Sequence, residues 1–118
     1  MMINGAYPFP WKKLAAGEIV ELSLELSLPF TVAYLIASPT NAEGLWVDDI
    51  LIGKRSLVPP NCGPIPWEIF YSTSSVRVTF DDAEIPIGVA IRIKVRNMST
   101  ESRTARMSVF GTSRRGDC

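Results

Sequence analysis

From Glu18 the chain reads EIVELSLELSL, with Val20, Leu22, Leu24, Leu26 and Leu28 at every second position and Ile19, Glu21, Ser23, Glu25 and Ser27 between them. A period of two places the first set on one face of a strand, whereas a helix would scatter those leucines around its circumference. The pattern predicts one half-buried strand, ended by Pro29, against the helix propensity of Leu and Glu. TVAYLIAS, residues 31–38, is apolar on both faces and predicts a central strand that is covered on both sides or lies at a subunit contact. LWVDDILIG predicts a strand from Leu45 to Ile52 broken at Gly53, after turn chemistry in residues 39–44.

Residues 54–66 carry four prolines, Pro59, Pro60, Pro64 and Pro66, and predict a long surface connection with one short extended piece at Ser56–Val58. Further strands are expected at WEIFY, 67–71, and VRVTF, 76–80, with a turn at 81–88. The last pair of signals predicts a hairpin. VAIRIKVRN sends Val89, Ile91, Ile93 and Val95 inward and Arg92, Lys94 and Arg96 outward, and TARMSVFGTS follows after the polar loop MSTESR. No stretch shows a helical period, which leaves at most a helical turn in KKLAAG, residues 12–17.

Strands at this spacing predict an all-β fold, an antiparallel β-sandwich with Greek-key connections and jelly-roll topology. In that arrangement the strand at 19–28 lies beside the closing strand at 104–112, and the outward Glu21 and Glu25 meet the outward Arg106. The expected organisation is an extended arm over residues 1–17, a sandwich domain over 18–113 and a tail over 114–118.

Composition narrows the chemistry. The chain has 118 residues, 47% of them hydrophobic and 20% charged, with a formal net charge of +0. That suits one globular domain and provides no global field for nucleic acid or an anionic membrane. Neither a leader nor a membrane span is expected, because no apolar run approaches about 20 residues. Histidine is absent, which removes the commonest general base and metal ligand and rules out Ser-His-Asp and Cys-His nucleophiles. Cys62 and Cys118 make no disulfide framework and are expected as free thiols of a reducing compartment.

Acidic residues offer two constellations. Asp48-Asp49 lies inside a strand pattern, so its carboxylates are expected on opposite faces and unable to converge. Asp81, Asp82 and Glu84 fall in an expected turn that lacks the ligand spacing of a calcium loop. No metal, cofactor or catalytic residue is expected from either.

Two surfaces remain as candidates for partner binding. Tyr7-Pro8-Phe9-Pro10-Trp11 puts three rings into a segment that prolines hold near polyproline II. It is pre-extended, so ordering it on a surface costs little entropy. Tyr7, Phe9 and Trp11 either plug the end of their own sandwich or anchor on a neighbouring subunit. Toward the C-terminus, Arg92, Lys94, Arg96, Arg103, Arg106, Arg114 and Arg115 outnumber Glu101 and Asp117. Of these, Arg92, Lys94 and Arg96 form a basic stripe on one strand, suited to an acidic protein partner.

The segment VAIRIKVRNMSTESRTARMSVFGTS, an alternating strand, an Arg-Asn pair, a Ser/Thr-rich loop and a strand ending in Phe-Gly-Thr, resembles the terminal hairpin of small single-jelly-roll structural proteins of viruses and tailed phages. LWVDDILIGKRSL has a similar character. The resemblance covers about a third of the chain and implies a virion component, made in the host cytoplasm, that decorates or cements a capsid, often as a trimer. It transfers no functional residue. The expected function is therefore non-enzymatic: self-association and contact with a capsid or other virion protein, without nucleic acid or membrane. The competing expectation is a carbohydrate- or ligand-binding sandwich in which Trp46, Trp67 or Tyr71 stacks on a sugar ring.

Overall fold

A computed structural model describes residues 2–26, 29–58, 64–73, 79–86 and 88–114, with the side chains of residues 2–4, 79–83 and 113–114 outside that description. In chain order the strands are β1 (Met2–Pro8), β2 (Lys12–Leu14), β3 (Ile19–Glu25), β4 (Phe30–Ala37), β5 (Leu45–Ile52), β6 (Arg55–Ser56), β7 (Ile65–Pro66), β8 (Thr79–Ile85), β9 (Ala90–Asn97), β10 (Arg103–Ala105) and β11 (Met107–Arg114). One sheet has the order β1-β11-β4-β8 and another β3-β9-β5-β6, with β7 also on β5, while β2 and β10 form a two-stranded piece. All of these strand pairs are antiparallel.

The fold is an all-β, sandwich-like packing of antiparallel sheets. Alternation supplies the inner faces: Leu22, Leu45, Val47, Ile50, Ile91, Ile93 and Val95 from one sheet, and Phe30, Val32, Leu35, Ile85 and Val109 from the other, all of them buried. Each such side chain contributes roughly 1.5–3 kcal/mol when removed from water, so this burial drives the sheets together.

Several expectations need correction. The first strand of the sandwich is β1, not the 19–28 segment, so Met2–Pro8 of the expected arm belongs to the sheet. Pro8 is tolerated because β1 is an edge strand, with β11 on one side only among the described residues. Strand β3 pairs with β9 and not with the closing strand, so Glu21 stands opposite Lys94 and Ser23 opposite Arg92. The expected terminal hairpin is divided between sheets, β9 in one and β11 in the other. The residues between them cross the end of the sandwich.

KKLAAG forms no helical turn at its start. Lys12–Leu14 pairs with Arg103–Ala105 and buries Leu14 and Ala105. WEIFY is not a strand, because Trp67–Phe70 forms a 3₁₀ turn that buries Trp67 and Phe70. Three residues per turn align positions i and i+3, which lets both rings reach the core. The expected turn at 81–88 is strand as far as Ile85. Asp81, Asp82 and Glu84 therefore lie along β8 and not in a loop able to wrap a cation. Residues 76–78, Cys62 and Cys118 lie outside the described residues.

Two bulges shift the alternation. Between Val47 and Asp49 the register of β5 on β9 slips, so Val47 and Ile50 both enter the core while Asp48 and Asp49 both stay out of it. The expectation of opposite faces for that pair fails for this reason. In β4 the register on β8 slips between Val32 and Tyr34. Val32 and Leu35 are both buried, leaving Tyr34 and Ile36 half-buried on the outer face. The doubly apolar look of TVAYLIAS comes from this shift of phase.

Candidate interaction site

The two candidate surfaces lie on different sheets. On the outer face of the β3-β9-β5 sheet the basic stripe meets acids of its own chain. The Arg92 Nη1 lies 3.6 Å from the Glu21 carboxylate, and its Nη2 donates to the Gly53 carbonyl. Arg96 donates from Nε and Nη2 to Asp48 Oδ2, at 3.0 and 2.9 Å. Lys94 is exposed, and its register partners on the two sides are Glu21 and Asp49. The bulge in β5 creates this arrangement, since it turns both aspartates toward the stripe. Two of its three cations are engaged within the chain.

The aromatic segment divides in three ways. Tyr7 on β1 packs edge-on against Phe30, with ring centroids 5.4 Å apart at 85°. Phe9 is buried in the core, and its N–H donates to the Met107 carbonyl at 2.9 Å. Trp11 is 60% exposed. Thus two of the three rings serve their own sandwich, and one is presented to solvent.

Trp11 has a partner that sequence reasoning placed elsewhere. The Arg106 guanidinium carbon stands 5.4 Å from the centre of its ring. Arg106 lies between Ala105 and Met107, which are both buried, and so is turned outward at the junction of β10 and β11. Its carbonyl accepts the Ser38 N–H at 2.9 Å, fixing the junction to the end of β4. Among the described residues no carboxylate pairs with it, whereas Arg92, Arg96 and Arg103 each have one. The available signal was the outward position of Arg106. What misled was the assumption that β3 lay beside it.

Beneath this pair lies a pocket of about 560 Å³. Among the described residues it is lined by Pro8, Phe9 and Trp11, by Ile36 to Pro39, and by Ser72, Arg106, Met107 and Ser108. Arg106 is the one ionisable residue of its lining among the described residues. A smaller groove of about 230 Å³ runs between Trp46, Pro64, Arg96 and Met98 on the other sheet.

The remaining rings differ in availability. Trp67 is fully buried, and its indole N–H donates to the Ser38 carbonyl at 3.1 Å, so it is closed to a sugar. Tyr71 is half-buried. Burial raises its phenol pKa above the ordinary value of 10.0, and the nearby Glu68 and Glu43 carboxylates raise it further. Between the unfolded value and that higher folded value the native state keeps a proton that the unfolded chain has lost. The stabilisation is complete below pH about 10 and is lost as pH rises through the folded pKa. A Tyr71→Phe variant is therefore expected to lose less stability than the parent when urea melts at neutral pH and above pH about 10 are compared. Equal losses would remove this assignment.

Compared with protein-family models, curated proteins and solved structures, the chain matches none.

Proposed function

We propose that the protein is a non-enzymatic structural protein of a virion, which decorates or cements a capsid through self-association and capsid contacts. The observation that carries this reading is the presentation of Trp11, exposed and backed by a guanidinium that has no carboxylate partner among the described residues, whereas Arg92, Arg96 and Arg103 are engaged within the chain. An exposed aromatic beside an arginine is the composition typical of interface anchors.

The strand orders β1-β11-β4-β8 and β3-β9-β5, the latter continued on β5 by β6 and β7, support jelly-roll topology. They place the last strand between the first and the fourth, with the sheets exchanging successive strand pairs. Self-association is supported by the edge strand β1, whose sequence MINGAYP carries none of the charged side chains that usually blunt a sheet edge. A second reading, a carbohydrate-binding module, draws support from the groove beside Trp46.

Light scattering on the full chain and co-sedimentation with capsid particles test the proposal. A homo-oligomer, a trimer on this reading, that pellets with particles and detaches on Trp11→Ala substitution is expected. A monomer that leaves every particle unbound would overturn it. Quenching of tryptophan fluorescence by oligosaccharides, abolished by Trp46→Ala, would favour the module instead.

A further inference from the structure

The outer face of the β1-β11-β4 sheet is organised in cross-strand rows. Pro8, Ser108 and Ile36 stand side by side in register, and the next outward row is Ala6, Phe110 and Tyr34. Residues between these rows, Val109 and Leu35, are buried on the opposite face. Tyr34 and Phe110 are stacked, with centroids 5.2 Å apart and planes 9° from parallel. The two rows contain no charged side chain. They form an apolar strip that runs from the pocket along the sheet.

At one end of the strip stands Arg106. Its guanidinium carbon stands over the Trp11 ring, 5.4 Å from the centroid, and a guanidinium in a cation–π contact can still present its planar fork of N–H donors to a carboxylate in a two-pronged bond. Ser38, Ser72 and Ser108 also line the pocket. With one cation and no acid among the described residues of its lining, the pocket is complementary to an anion. Its volume of about 560 Å³ lies within the range of sites that take a drug-sized ligand.

We infer that the Trp11–Arg106 pocket and the Phe110–Tyr34 strip together dock a segment of a partner protein that presents a carboxylate beside apolar side chains. The carboxylate binds Arg106, and the apolar side chains lie on Pro8, Ile36 and the stacked rings. A saccharide fits the strip poorly, because its hydroxyls would lose water over proline, isoleucine and aromatic surface with few groups to replace it. The inference rests on the docking role proposed above and names the chemistry of the partner.

Calorimetric titration of the full chain with capped peptides tests it. The probe is acetyl-Glu-Phe-Pro-Leu-amide, and its comparison is the same peptide with Gln in place of Glu. Binding of the acidic peptide at about 1 mM or tighter is expected, with a loss of about tenfold for the Gln peptide. Arg106→Gln should erase the difference between the two, Arg106→Lys should retain part of it, and Trp11→Ala should weaken both. Equal affinity for the two peptides, a difference that survives Arg106→Gln, or displacement of the peptide by glucuronate at lower concentration would overturn the inference. Attachment to particles with no peptide binding would defeat this pocket alone. Peptide binding with no particle attachment would support the pocket and defeat the virion reading.

Discussion

Replacing Asn97 by alanine is expected to cost about 3 kcal/mol of stability, lowering the thermal midpoint by about 10–15 °C for a chain of this size. Asn97 is the one fully buried polar side chain among the described residues. Its Nδ2 donates toward the carbonyls of Leu14 and Ala15, both at 3.1 Å, and of Glu101 at 2.8 Å. Its Oδ1 accepts from the Ser99 N–H at 2.9 Å and from the Ser99 hydroxyl at 2.7 Å. The backbone of the same residue bonds Gly17 and Glu18. One amide thus joins the end of β9 to the turn after β2 and to the loop leading to β10.

Alanine would leave the Leu14 carbonyl buried without its partner. Asn97→Asp should be worse, because it replaces the donor with a buried charge facing three carbonyl oxygens. A urea melt of each variant checks both the size and the order. A loss below about 1 kcal/mol for alanine, within the reach of an ordinary exposed site, would show that the crossover is held by something else. Because this crossover positions Arg106, a loosened loop should also weaken the docking of a carboxylate.

The second large effect is expected at Gly111, where alanine should destabilise by about 3 kcal/mol or more. A Cβ there would overlap the Thr31 carbonyl oxygen and fall 2.9 Å from Phe30 Cε2. The ring could tilt, but the carbonyl belongs to the backbone of the central strand β4 and cannot move alone. Strand β11 would have to separate from β4 at the point where their register already shifts, between Phe110 and Gly111. Thermal denaturation of Gly111→Ala reads the cost. A midpoint equal to that of the parent would refute the close approach. The same displacement should open the Tyr34–Phe110 stack, so any stable Gly111→Ala protein should bind the acidic peptide less tightly.

The redistribution of charge changes what the surface is fit for. A stripe of three cations on β9 looked like the acidic partner's landing site, yet Glu21 and Asp48 engage two of them. The Arg92–Glu21 pair, partly open to solvent, contributes little to stability and is screened by salt. The larger consequence of both pairs is local neutrality. Arg106, at the junction of β10 and β11, has no carboxylate partner among the described residues and stands next to an exposed indole.

How much of this was legible along the chain depended on the range of the interaction. Period-two alternation is local, so the strands Leu45–Ile52 and Ala90–Asn97, and the inward residues Ile91, Ile93 and Val95, followed from the order of residues alone. The all-β class and the sandwich followed with them. Strand partners did not, because the pairing of β1 with β11, or of β3 with β9, depends on which edges meet when the sheets close over a shared core. Bulges were equally invisible: one extra residue at Asp48 or Ala33 reverses every later side chain, and only the opposing strand shows that it is there. The aromatic and basic residues were visible as candidates from composition. Their roles were decided in three dimensions, where burial claimed Tyr7 and Phe9, neighbouring carboxylates engaged Arg92 and Arg96, and Arg106, with no carboxylate partner among the described residues, stands by Trp11.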